Sequence, residues 1–183
     1  MGWFLSEAAI TLRSQINKRY PRRDVASDGS VGDTSHQARP SDHNPDWTAG
    51  GVVRAIDVDA NLQRGDPAEM DKLAGQLIRY ARLHRDRGRL KYVIWNGAIA
   101  SGTDPDRFWT WRPYLGTDPH TGHMHVSFTD AGDHRGGKFD LPVFTEPHRR
   151  RVLRRTINSL THRITALRKK RRAARKQLAH MGD

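Results

Sequence analysis

The chain contains no cysteine. That excludes disulfide bridges and thiolate metal sites together, and leaves histidine and carboxylate side chains as the ordinary ligands for any metal. Nor is any apolar run long enough to span a bilayer, and Met1-Gly2-Trp3-Phe4-Leu5-Ser6-Glu7 lacks the basic start and long apolar stretch of a secretory signal. Acidic residues are almost missing from one region: residues 149–183 hold 13 Lys and Arg and a single acid, Asp183. Residues 1–148 are balanced, with 19 basic and 19 acidic side chains, so the whole formal charge of +12 belongs to the C-terminal segment. The high overall pI therefore describes an appendage, and does not argue that the larger part binds nucleic acid. A length of 183 residues suits one domain with a real core, expected at 1–148, and a tail at 149–183.

What is present has clear punctuation. Ser6 caps a first helix running to about Tyr20, with Ala9, Leu12, Ile16 and Tyr20 on one face and Pro21 ending it. Residues 22–51 are rich in Asp, Ser, Gly and Pro and read as a long loop, a kind of segment that in a compact domain is usually functional or disordered. Val52 to Asp59 reads as a strand with Asp57 and Asp59 on one face. Asp66-Pro67-Ala68-Glu69 opens a second helix whose apolar positions are Met70, Leu73, Ala74, Leu77, Ile78 and Ala81; it is expected to stop near Gly88. Tyr92–Trp95 is a strand, Asn96-Gly97 a hairpin turn, and Phe108 to Tyr114 an aromatic strand or wall. The sum is an α+β unit with a small antiparallel sheet flanked by helices.

The chemistry concentrates in Pro119-His120-Thr121-Gly122-His123-Met124-His125-Val126-Ser127-Phe128. On a strand, His123, His125 and Ser127 share one face while Met124, Val126 and Phe128 point into a core. Upstream, Ser41-Asp42-His43 precedes the strand that carries Asp57 and Asp59. Two histidines and one carboxylate with a fourth position left open describe a catalytic rather than a structural zinc. From the residues alone, Asp59 competes with Asp57 for the ligand role.

Ser41-Asp42-His43, Ala55-Ile56-Asp57 and His123-Met124-His125 together resemble the motif set of LAS metallopeptidases, the group of lysostaphin-type and D-Ala-D-Ala peptidases and the hedgehog fold. The stretch from Gly32 to Asp59, with Tyr92–Asn96 and Pro119–Phe128, is similar to M15-like peptidase domains of endolysins from actinobacteriophages. The resemblance spans most of 1–148 and none of the tail. It implies Zn²⁺ held by His43, Asp57 and His125, with His123 beside the metal and His120 as an additional histidine. It also implies a bacterial peptidoglycan substrate, synthesis in the host cytoplasm and action at the cell wall.

Two departures from the family pattern stand out. The first two ligands lie 14 residues apart instead of seven, which reads as a hairpin insertion at Trp47-Thr48-Ala49-Gly50-Gly51, and no glutamate precedes His125 nearby. The proton-transfer role then falls to His120 or Asp118, and Arg39 becomes a candidate for stabilising an oxyanion or gripping a substrate carboxylate. Phe108, Trp109, Trp111 and Tyr114 either wall a groove or pack in the core. Two other readings of the chain are a metal-dependent nuclease or DNA-binding protein using the tail, and a noncatalytic zinc-bearing module that binds the wall.

The tail has its own period. Leu153, Ile157, Leu160, Ile164, Leu167, Ala174 and Leu178 step by four and three, interrupted by Arg171, as on a basic amphipathic helix. Such a helix suits packing on the domain or on a second copy, an anionic membrane or wall polymer, or non-specific attachment to nucleic acid; no sequence-specific nucleic-acid recognition is expected.

Overall fold

The computed structural model describes residues 2–33, 38–63 and 66–180, without the side chains of 146–152 and 173–180. His36, in the long loop, and the side chains of Ala174 and Leu178 fall outside the described set. The chain divides into two compact units, Met1–Phe144 and Thr145–Asp183. The first unit ends there because Phe139, Leu141 and Val143 are all buried.

Two helices form because their caps and apolar spacing agree. Helix α1 (Glu7–Arg19) starts where Ser6 Oγ accepts from Ala9 N–H, and buries Ala8, Ala9, Leu12 and Ile16. Helix α2 (Pro67–Arg82) is capped by Asp66, which accepts from Ala68 N–H, and its buried face includes every apolar residue predicted for it plus Tyr80. It stops at Arg82, short of the expected Gly88. No apolar residue continues the stripe beyond Leu83, and left-handed backbone at His84 and Arg87 (φ 54° and 57°) turns the chain into the next strand.

The main sheet is five-stranded and antiparallel, in the order β3–β7–β4–β5–β6: β3 Ala55–Asp59, β4 Leu90–Trp95, β5 Ala98–Ser101, β6 Arg112–Pro113 and β7 His123–Phe128. A separate parallel pair joins β1 (Phe4–Leu5) to β2 (Val52–Val53). The strand predicted over Val52–Asp59 is thus two strands in different sheets. Arg54 is the switch point: its N–H donates to Asp42 O, its carbonyl accepts from Phe128 N–H, and its guanidinium holds Asp46 and Asp133. Asn96-Gly97 closes the β4–β5 hairpin with both φ values positive (48° and 75°), as a two-residue turn of that hand requires. The aromatic strand expected at Phe108–Tyr114 is absent, since only Arg112 and Pro113 pair with β5; Trp109 is buried, Phe108 stacks on His84, and Trp111 is exposed.

One face of the sheet supplies Ile56, Val58, Val93, Met124, Val126 and Phe128 to a single core with α1 and α2. The other face carries Asp57, Tyr92, Ile94, His123 and His125. Helix α3 (Pro142–His180) begins in the first unit and continues through the second. Pro147 has no N–H to give Val143 O, and Arg19 Nε donates to that carbonyl instead at 2.9 Å. Beyond it, Leu153, Ile157, Leu160, Ile164 and Leu167 are all exposed. Among the described residues no helix is long and apolar enough to cross a membrane.

The core assignment has a direct consequence. Leu77→Ala, on the buried face of α2, is expected to lower stability in urea by about 2–5 kcal/mol, and Leu160→Ala, on the exposed part of α3, by no more than about 0.5 kcal/mol.

Candidate metal centre

Strand pairing builds the centre. In the β3–β7 ladder Asp57 lies directly opposite His125, and Asp59 opposite His123, so all four leave the sheet on one face. His43 arrives from the long loop. That loop is tied down by Gly32 N–H to His43 O, His43 N–H to Ser41 Oγ, and Lys91 to the Asp42 carboxylate at 2.7 Å. Between His43 and Asp57 lies a short 3₁₀ turn, Trp47–Ala49, closed by Asp46, whose N–H donates to Val52 O and whose carbonyl accepts from Gly51 N–H. It brings Arg54 N–H back onto Asp42 O, so the longer spacing still delivers His43 to Asp57.

Three ligand atoms converge. His43 Nε2 is 3.2 Å from Asp57 Oδ1 and 3.1 Å from His125 Nδ1, which is itself 3.1 Å from Asp57 Oδ1. His43 Nδ1–H donates to Ser30 O, which turns the opposite nitrogen inward. On His125, Nε2 meets Ser127 Oγ at 2.9 Å, leaving Nδ1 for the cluster.

The donor set fits a divalent cation. With those outer bonds made, two imidazole lone pairs and a carboxylate face one another, which is repulsive unless a proton or a cation sits among them. Tetrahedral zinc with bonds of about 2.0–2.1 Å sets its ligand atoms roughly 3.3 Å apart, close to the spacing here.

The proton affinities express the same competition. Burial by itself would push the Asp57 carboxyl up, but hydrogen bonds from His125 and His43, and their charge, hold it far below the usual carboxylate range. Burial disfavours a charged His43, yet Asp57 outweighs it and leaves His43 raised. Burial wins at His125, which is lowered.

Outer residues lock the ligands. A Cβ on Gly29 would run into Asp57 Oδ2, and Gly29 and Asp57 exchange backbone hydrogen bonds in both directions. Arg13 reaches from α1 to Gly29 O, to Ser30 Oγ and to Asp57 O at 3.3 Å. Tyr92 stacks on His125 with ring centroids 5.3 Å apart. Asp59, the rival ligand, is occupied elsewhere: its carboxylate accepts from Ser27 N–H and Asn61 N–H.

A second group lies beside the first. The ligand atoms of Asp118, His120 and His123 are all within 4.8 Å of one another. His120 has a left-handed backbone (φ 54°), Asp118 Oδ1 accepts from its N–H, and its Nδ1–H donates to Asp118 O at 2.6 Å. The hairpin turn holds this loop, with Asn96 N–H on His120 O and Gly97 N–H on Pro119 O. His123 Nε2 lies 3.8 Å from Asp57 and 3.9 Å from Asp118. Burial lowers the His120 pKa, so this imidazole stays neutral at pH 7.

All seven residues singled out in the sequence border one cleft of about 340 Å³: His43, Asp57, His125, His120, His123, Asp118 and, on its exposed rim, Arg39. Of the aromatic run only Tyr114 lines it, edge-on to His120. Sequence reasoning did not single out Gly29, Ser30, Arg13 or Tyr92. The first three contribute backbone or long-range contacts that leave no motif, and Tyr92 was legible only as a strand residue.

No family model, no curated protein and no solved structure matches this chain.

Two outcomes are expected. Gly29→Ala should weaken divalent-metal affinity about 10–100-fold with the far-ultraviolet circular dichroism unchanged, because Asp57 must move from its place. Protons compete with metal at His43, whose pKa is raised; affinity measured between pH 8 and 5.5 should therefore begin to fall above the ordinary histidine value of about 6.5 and keep falling with acidity. A flat profile over that range would contradict the ligand set.

Proposed function

We propose that the chain is a zinc-dependent peptidase of bacterial peptidoglycan with a LAS-type, M15-like catalytic unit, acting as a phage endolysin made in the host cytoplasm and working at the wall. The observation that carries this reading is the convergence of His43, Asp57 and His125 at 3.1–3.2 Å beside an oriented His120 in an open cleft. Asp57, Asp118 and Arg39 line the cleft with the four histidines.

His43, Asp57 and His125 would hold the ion. Bound there, zinc supplies Lewis-acid polarisation of a peptide carbonyl and lowers the pKa of water to about 7.

The chain's own groups supply the rest. His120 has Nδ1–H committed to Asp118 O, which leaves Nε2 as the free base; it takes the proton of the attacking water and returns it to the departing amine. Asp118, although expected as an alternative base, is largely exposed and spends Oδ1 on the His120 backbone, and its role is to orient His120. His123 sits between the two carboxylates, where its Nε2–H can donate to the developing oxyanion. Arg39 offers a fork of donors at the rim for a carboxylate of the stem peptide. Tyr114 supports the His120 ring from its edge.

The test is mass spectrometry of purified peptidoglycan after treatment with the protein, with and without chelator, and with zinc restored. New amino termini should appear, vanish on chelation and return with zinc. His120→Ala should retain bound metal and lose roughly 10²–10⁴-fold in rate, whereas His125→Ala should lose the metal itself. Intact peptides in every sample would sink the reading.

A further inference from the structure

The second unit offers a surface of different chemistry, and no step of the proposed peptidase uses it. Leu153, Ile157, Leu160, Ile164 and Leu167 of α3 are each 49–64% exposed. At 100° per residue they fall within an arc of about 80°, a continuous aliphatic seam. Arg154, Arg155, Arg163, Arg168, Lys169, Lys170 and Arg172 surround it, all exposed. From residue 149 to 182 the sequence holds no carboxylate.

These facts discriminate among occupants. A second copy of the helix would cover the seam, but the positions flanking a heptad seam, where partner helices normally pair opposite charges, are here Arg154, Arg163, Arg168 and Lys170, with only threonines, Thr156 and Thr161, between them. Like charges would face each other along the whole contact, and Arg171 would enter the seam itself. A nucleic acid would satisfy the cations but leave five aliphatic side chains in water. An interface that is apolar inside and anionic at its surface satisfies both.

We propose that α3 lies in the plane of an anionic lipid bilayer, its Leu/Ile seam in the acyl boundary and its arginines and lysines, with aliphatic stems laid along the same boundary, on the lipid phosphates. Thr161, which flanks the seam, suits that medium: its Oγ1 donates to Ile157 O at 2.9 Å and brings no unpaired donor to the lipid. The inference does not depend on the peptidase reading, since the seam residues and the metal-centre residues belong to different units of the chain.

The experiment is co-sedimentation of the full chain with vesicles of phosphatidylcholine alone and of equal parts phosphatidylcholine and phosphatidylglycerol, at 0.15 M salt. Anionic vesicles should bind at least about tenfold more tightly than neutral ones. The variant L160S/I164S/L167S should lose about tenfold or more toward anionic vesicles while keeping its metal affinity, which shows that the first unit is intact. A variant with Arg168, Lys169, Lys170, Arg171 and Arg172 changed to Gln should lose binding while the seam remains. Three results would overturn the proposal: no preference for anionic vesicles, vesicle binding indifferent to the seam variant, or sedimentation equilibrium giving a dimer that the seam variant converts to monomer without any binding to lipid. Tighter association with duplex DNA than with anionic vesicles, unchanged in the seam variant, would also overturn it in favour of a nucleic-acid partner.

Discussion

The antiparallel register of β3 against β7 is the constraint on which the rest depends. It sets Asp57 across from His125 and Ile56 across from Val126, so the same pairing that aligns two candidate ligands on one face buries two core residues on the other. A slip of one residue would exchange the faces, putting His125 into the hydrocarbon core and Val126 into the cleft. The register is therefore enforced by Ile56, Val58, Met124, Val126 and Phe128, all fully buried, rather than by the polar residues that use it. Stability and chemistry are coupled here through alternation alone.

Around that pair the molecule spends its polar contacts on a single problem, how to hold an ionised carboxylate and two imidazoles partly out of water. Unpaired buried charge is costly, and each of the three side chains has a second contact that aims it: Gly29 backs Asp57, Ser30 O receives His43 Nδ1–H, and Ser127 meets His125 Nε2. Arg13 links α1 to the same backbone. The long loop is thus strapped down from several sides, which explains how a segment with almost no regular structure can present a ligand.

The legible part of this site was the part carried by local pattern. Alternation across His123–Phe128 and the two caps at Ser6 and Asp66 follow from side-chain geometry within a few residues, and they hold in the structure. What misled were features whose outcome depends on distant partners. Val52–Asp59 reads as one strand, but Arg54 divides it because Asp42, Asp46 and Asp133 all claim that residue. Phe108–Tyr114 reads as a strand, but Trp109 takes a left-handed backbone and turns inward. Asn96-Gly97 reads as only a turn, and its two N–H groups also clamp the His120 loop.

By itself, the sequence determined which residues are able to ligate, which helices are amphipathic, and that the positive charge lies in the tail, because residue identity and spacing along the chain are enough for each. Only the tertiary structure decided that Asp57 and not Asp59 joins the histidines, although both leave β3 on the same face. Ser27 and Asn61 have already satisfied the Asp59 carboxylate, and loop closure delivers His43 one register step away, to Asp57.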